Sequence, residues 1–229
     1  MKNNHAYTKQ EQAAIYKVIA ERRDMRHFLP TPIDSETLTK ILQAAHHAPS
    51  VGLMQPWRFI RISDLNLRKQ IHQLVDEERA NTAQAIGELE TTTPGFNTKS
   101  AEFLRLKVEG ILDCGELLIA TLCDKREQHI FGRRTLPEMD IASVSCAIQN
   151  MWLAARAEGI GMGWVSIFDP IKLALLLSIP HDAKPIAVLC LGHVNNFYKE
   201  PMLVEQGWAT EKTLDEMLMQ NTWQASSKL

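Results

Sequence analysis

The chain has 229 residues, of which 45% are hydrophobic and 23% charged, and its formal net charge is −2. These values predict one globular domain with a sizeable core. They exclude the strong basic field of a general nucleic-acid binder, and no apolar run approaches the roughly 18 residues that span a bilayer. The polar start, MKNNHAYTKQEQ, lacks the apolar core of a signal peptide, so we expect a cytoplasmic protein.

In chain order, the spacing of apolar residues predicts regular elements as far as residue 123. The first helix, 11–22, carries the apolar stripe Ala14, Ile15, Val18 and Ile19. The elements that follow are a helix capped by Asp34 and ending near 45, a strand at 58–63, a helix at 65–86, a loop at 91–100, a helix at 100–112 and a buried strand at 116–123.

The second half begins with a long polar loop at 124–139, of the kind that often covers a ligand. The elements after it are a helix at 140–158 between Asp140 and Gly159, a strand at 162–168, a short helix from Asp169-Pro170 to 178, a strand at 185–193 and a tail at 199–229 with an amphipathic piece at 210–220. We predict one α+β domain in which helices surround a small mixed sheet. The tail has few internal partners and is expected to pack on a second subunit.

Cysteines and histidines give no metal-binding pattern. The four cysteines, Cys114, Cys123, Cys146 and Cys190, lie far apart, and the eight histidines show no H-x-x-x-H or H-E-x-x-H spacing. We therefore expect buried thiols and no metal. The glycines of GIGMGWVS, 159–166, are not G-x-G-x-x-G in register with a strand-to-helix turn, which argues against a Rossmann fold.

Two segments could bind a ligand. RRDMR places Arg22, Arg23 and Arg26 around Asp24, and three guanidiniums can clamp a phosphate, although a solvated helix end would have the same composition. Asp24 would have a lowered pKa there and act poorly as a base unless it is desolvated or the arginines face a phosphate.

The second segment is HHAPSVGLMQPWRF, residues 46–59. Two prolines stiffen this loop, so it can hold backbone amides, the Ser50 hydroxyl and the Gln55 amide still against a planar heterocycle. Gly52 permits close approach. A purely structural connection would also explain the prolines.

Taken together and in this order, RRDMRHF, APSVGLMQPWRF and GIGMGWVSIFDP resemble the flavin-binding nitroreductase superfamily over about residues 11–200. The resemblance implies an intertwined homodimer with FMN at the subunit interface. It assigns the FMN phosphate and ribityl end to Arg22, Arg23 and Arg26. It assigns the ring to Ser50, Met54 and Gln55 on the pyrimidine side and to Trp164, Ser166 and Ile167 along the central edge.

The sequence departs from the common pattern in two places. Leu53 stands where the superfamily usually has Asn, and Asp24 stands where its arginine-rich start has Ser. With RRTLPEMD and the tail EPMLVEQGW, these departures resemble a branch that consumes reduced FMN with O₂. In that branch Asp24 and Ser166 form the functional pair, because a carboxylate near the sugar can remove a proton and a hydroxyl can serve a ring nitrogen. Structural alternatives are an Asp24–arginine ion pair and a strand-end hydrogen bond of Ser166.

Two other functions stay open on the sequence. An ordinary nitroreductase or flavin reductase would keep FMN intact and take hydride from NAD(P)H. A flavin-sequestering protein would bind FMN without turnover. If the flavin is consumed, a separate flavin reductase must supply FMNH₂, and we expect loop 124–139 to close over the site.

Overall fold

The computed structural model describes residues 5–90 and 99–223. Its helices are α1 (Lys9–Glu21), α2 (Ser35–His46), α3 (Leu65–Glu90), α4 (Lys99–Arg105), α5 (Met139–Ala157), α6 (Pro170–Leu176), α7 (Met202–Glu205) and α8 (Leu214–Met217). Its strands are β1 (Trp57–Arg61), β2 (Glu116–Leu122), β3 (Gly161–Val165) and β4 (Lys184–Gly192). Most of the predicted loop 91–100 lies outside the described residues.

The four strands form one sheet in the order β1-β2-β4-β3, and each neighbouring pair is antiparallel. The α+β class is confirmed, but the sheet is not mixed as predicted, because apolar patterns place strands without giving their directions. Within the described residues, the parallel pairing is a single isolated bridge between Asp24 and Met162.

Both faces of the sheet are covered. Alternate residues of a strand point to opposite faces, so Leu118 and Leu189 pack with α2 and α5 while Ile119 and Val188 pack with α3 and α6. This double coverage explains why every residue of β2 is buried. The predicted central helix, α5, supplies much of the first layer.

Two predicted helix starts are confirmed and one is wrong. The Asp34 side chain accepts from Thr37 N, and the Asp169 side chain caps α6. Asp140 is not an N-cap: α5 begins at Met139, and the buried Asp140 carboxylate instead accepts from Arg126 Nη1 at 3.1 Å and Arg133 Nη2 at 3.0 Å. These two ion pairs fix the long loop to the start of α5.

The helix predicted at 100–112 ends early, at Arg105. Residues 106–114 turn instead, and Gly110 lies so close to Phe28 that a Cβ on it would be 2.5 Å from the ring. The strand predicted at 162–168 also ends early, at Val165, so Ser166 and Ile167 follow it.

The apolar stripe of α1 does not enter the core of this chain. None of the helix's residues is buried, and Ile15 and Ile19 are 43% and 48% exposed. The tail was expected to pack on a second subunit, but one of its residues, Trp208, packs on Phe103 of its own chain. Packing of the remaining tail on another subunit stays a prediction.

After α1, residues 22–28, here called the arginine segment, run along the free edge of β3. Met25 N donates to Met162 O at 2.9 Å, and Trp164 N donates to the Asp24 carboxylate at 3.0 Å. Gly163 makes this contact possible, because a Cβ there would lie 2.3 Å from Met25 O and 2.8 Å from Arg26 Nη1. The glycine-rich stretch is therefore a packing surface for the arginine segment.

We expect Gly163→Ala to displace the arginine segment and to destabilise the protein by about 1–3 kcal/mol, the usual cost of overpacking. Gly159→Ala is the matched control, because Gly159 has a φ of +74° but nothing within 4 Å of an added Cβ. It should lose only about 1 kcal/mol from the left-handed backbone. Urea unfolding measures both, and equal losses would show that the contact with Met25 is unimportant.

Candidate active site

A cleft of about 1100 Å³ opens beside the arginine segment. Five parts of the chain line it: the end of α1, the arginine segment, the residues at the end of β3, the region of α3 and α4, and residues 200–211 of the tail. The predicted site residues on its wall are Arg22, Arg23, Asp24, Arg26, Trp164, Ser166 and Ile167. The fold thus brings together the two predicted functional residues, Asp24 and Ser166, and most of the predicted flavin ligands.

Arg26 and Asp24 form the polar centre of this wall. Arg26 Nη2 donates to Asp24 Oδ2 at 2.5 Å and to Trp164 O at 2.9 Å, while Trp164 N occupies the other carboxylate oxygen. Arg26 is buried, and its Nη1 has no partner among the described residues. The edge of β3 therefore orients both side chains and leaves one buried guanidinium nitrogen unpaired within the described residues.

The other two arginines differ in what holds them. The Arg22 guanidinium lies 4.5 Å from the centre of the Trp152 ring, a cation–π contact. Arg23 donates to the carbonyls of Ala20, Arg22 and Lys199, so much of its hydrogen-bonding capacity is used within the chain. Its Nε is buried without a partner in the described part of the chain.

Burial sets the ionisation of Asp24. It raises the pKa of this carboxyl above the ordinary 3.8, and it outweighs the lowering by Arg26, by the Trp164 N–H and by Arg22. The side chain keeps 41% of its surface exposed, toward the cleft. Although this part of the side chain faces the cleft, the groups packed around the carboxyl make desolvation the largest influence on its pKa, and desolvation is the condition under which this carboxylate could act as a base.

Ser50, Met54 and Gln55 do not line the cleft of their own chain. Ser50 Oγ accepts from Gln55 N at 3.0 Å, so the predicted ligand serine closes its own loop. The close approach at Gly52 is made by residues 129–131, since a Cβ there would lie 2.6 Å from His129 Nε2 and 2.7 Å from the Phe131 ring. Residues 124–139 pack on this loop and also lie away from the cleft.

Backbone strain makes Leu53 an unusual residue at its position in the loop, and no contact among the described residues explains the leucine. Gly52, Leu53 and Gln55 all have positive φ, at 50°, 54° and 45°. Asn tolerates this conformation better than Leu does, so Leu53, 80% exposed, holds a position that suits the Asn of the common pattern.

The sequence analysis did not predict that residues 200–211 of the tail form one wall of the cleft. Trp208 packs on Phe103, and Lys99 Nζ lies 4.7 Å from its ring centre, which holds residues 200–211 against the cleft. The apolar run MLV and the Trp in EPMLVEQGW were the available signal. Across residues 5–90 and 99–223, we find no cluster of His, Cys, Asp and Glu suited to a metal ion, and none of the described helices could span a membrane.

The raised pKa of Asp24 makes a pH prediction. Because the folded state binds this proton more tightly, the stability it contributes is present at low pH and is lost as pH rises through the folded pKa. We expect the unfolding free energy of the parent to fall relative to that of Asp24→Asn as pH rises above 3.8 toward neutrality. Urea unfolding across this range measures the difference.

The matched control is Asp34→Asn, because hydrogen bonds from Thr37 lower the pKa of Asp34. In that comparison the parent should gain stability as pH rises toward 3.8 from below, so the unfolding series must extend below pH 3.8 for this pair. If the parent gained stability with rising pH relative to Asp24→Asn as well, Arg26 rather than burial would dominate the pKa of Asp24.

Three comparisons place the chain among known proteins. The nitroreductase family profile matches residues 19–193. The 5,6-dimethylbenzimidazole synthase of Rhodospirillum rubrum is 38% identical over 193 residues, 83% of this chain and 87% of that protein. A protein of the same name from Rhodobacter capsulatus is 34% identical over 196 residues, 85% of this chain and 90% of that protein.

The solved NADPH:FMN oxidoreductase of Vibrio harveyi, complexed with NAD+, shares the fold with a TM-score of 0.68 at 17% identity, over 93% of this chain and 80% of that chain. The chain therefore belongs to the nitroreductase family, as the order of its motifs predicted.

Proposed function

We propose that this chain is a 5,6-dimethylbenzimidazole synthase. Its substrates would be reduced FMN and O₂, and its products 5,6-dimethylbenzimidazole, the lower ligand of vitamin B12, and erythrose 4-phosphate, while the flavin's pyrimidine ring would leave as a third fragment. The two relatives described above carry this name and match most of the chain. The observation that carries the proposal is the Asp24 carboxyl, with its raised pKa, on the cleft wall beside Arg26.

The cleft suits FMN on chemical grounds. Arg22, Arg23 and Arg26 line it, and the buried Arg23 Nε and Arg26 Nη1 are donors without partners among the described residues. A phosphate dianion would accept charge-assisted hydrogen bonds from the guanidinium nitrogens that face it, and Arg23 Nε and Arg26 Nη1 would join them only after a side-chain movement, because both atoms are buried. When bound, reduced FMN would supply the electrons that O₂ accepts and the atoms of both products.

The chain's own residues would bind the flavin and move protons. Asp24 would accept a proton from the ribityl chain, since its raised pKa makes it a stronger base than an ordinary aspartate. Neutralisation of the arginines by phosphate would raise that basicity further. Ser166, exposed at the end of β3, would donate or accept a hydrogen bond at the flavin's central nitrogen.

We further infer a homodimer in which each cleft is completed by a second copy. Ser50, Met54 and Gln55 lie off the cleft of their own chain, and α1 presents apolar residues that its own chain does not bury. A partner would cover α1 and bring its own loop 46–59 and loop 124–139 to the open side of the cleft.

Light scattering with a flavin titration tests the homodimer. We expect a dimer at micromolar concentration, and flavin affinity should fall on dilution below the dimer dissociation constant. A monomer that binds flavin with undiminished affinity would contradict this arrangement.

The proposed base predicts a split between binding and chemistry. Asp24→Asn should bind reduced FMN within a few-fold of the parent and let it reoxidise in air. It should lose benzimidazole formation by about 10²-fold or more, the usual size of a general-base contribution. Ser166→Ala should show a smaller loss of the same kind. Product at the parent rate from Asp24→Asn would place the base elsewhere, and loss of flavin binding would make Asp24 a scaffold.

The function itself is tested by incubating the protein with FMN, a flavin-reducing system and air, followed by mass spectrometry. We expect 5,6-dimethylbenzimidazole from the parent only when both O₂ and reduced FMN are present. An ordinary reductase would retain its FMN and oxidise NAD(P)H by itself. A sequestering protein would bind flavin and show neither activity, so either result would overturn the proposal.

A further inference from the structure

Residues 198–199, which follow β4, are hydrogen-bonded to the arginine segment at several points. The Tyr198 hydroxyl accepts from Arg26 N at 3.3 Å and lies 2.6 Å from His27 Nδ1. Arg23 Nη2 donates to Lys199 O at 2.7 Å. The arginine segment is thus held on one side by β3 and on the other by this short stretch.

Tyr198 does not line the cleft, yet its hydroxyl contacts the backbone of Arg26, whose guanidinium pairs with Asp24. Arg26 reaches Asp24 and Trp164 O through the same nitrogen, Nη2. A shift of the Arg26 backbone would therefore move the guanidinium and the carboxylate together. The Tyr198 hydroxyl is the group that holds this backbone N–H.

The phenol is suited to this position because it is both a donor and an acceptor. The phenol can donate a hydrogen bond to His27 Nδ1, and its oxygen can at the same time accept from Arg26 N. Burial raises the pKa of Tyr198, which keeps this proton in place. Phenylalanine would keep the ring and leave the Arg26 N–H without its acceptor.

We propose that Tyr198 is a positioning residue that fixes Arg26 and Asp24 at the cleft wall through the Arg26 backbone. It would act on two properties: the preference for the phosphate of FMN, through Arg26, and the rate of flavin fragmentation, through Asp24. The second property rests on the proposed function, whereas the first concerns binding only.

Binding tests the first property. We expect Tyr198→Phe to weaken FMN binding about 3- to 10-fold, the loss of one hydrogen bond, and to leave riboflavin binding unchanged. Arg26→Ala is the reference for a lost phosphate contact and should lower the FMN-to-riboflavin affinity ratio further. Tyr7→Phe, at an exposed tyrosine, should match the parent. An affinity ratio for Tyr198→Phe equal to the parent's would overturn the proposal.

A double-mutant cycle tests the second property at saturating reduced FMN. Tyr198→Phe should slow benzimidazole formation about 3- to 10-fold in the parent and less than about 2-fold in Asp24→Asn, because residues that act through one another are not additive. The same factor in both backgrounds would indicate a merely structural role and would overturn the proposal. If the parent forms no benzimidazole, the proposed function fails, and the affinity ratio alone decides the role of Tyr198.

Discussion

The site depends on the close contact between the arginine segment and the edge of β3. This contact needs a residue without a side chain at Gly163, because the Met25 carbonyl occupies the place of a Cβ. Once the two backbones meet, Trp164 can offer its N–H to Asp24 and its carbonyl to Arg26. One strand edge thereby fixes a carboxylate and a guanidinium on the same cleft wall.

The balance between burial and charge at Asp24 follows from that geometry. A carboxylate that accepts from both an arginine and a backbone N–H would ordinarily ionise more easily than in water. Here the surrounding wall removes enough solvent to reverse the direction, so the proton is held more tightly. The arginines nevertheless keep the pair oriented, and a bound phosphate would take part of their positive charge. In the proposed reaction, flavin binding and proton transfer at Asp24 would therefore be coupled through these arginines.

Much of the fold could be predicted because its signals are local. The caps Asp34 and Asp169 and the apolar runs of β2 and β4 depend on neighbours in the sequence. The order of three motifs also identified the family, which the comparisons confirmed. A local signal failed at Asp140, which has the sequence of a cap but pairs with two arginines of the preceding loop, because the sequence does not show how that loop folds back.

The site was predictable in composition but not in arrangement. The residues of the arginine segment and of the end of β3 do meet, as the resemblance implied, whereas Ser50 and Gln55 do not join them within one chain. The resemblance implied a site at a subunit interface, and in the proposed homodimer the loop of a second copy would take this place. Tyr198 and Trp208 were missed because each acts only through a contact about 100 or more residues away.

The central claim is that the arginine segment, held on β3, binds the flavin phosphate and presents Asp24 to the sugar. A crystal structure of the protein with reduced FMN, prepared without O₂, tests this most directly. The account predicts the phosphate in contact with Arg26 and Arg22 and the ribityl chain within hydrogen-bonding reach of the Asp24 carboxylate. A phosphate bound away from these arginines, with the ribityl chain distant from Asp24, would contradict it.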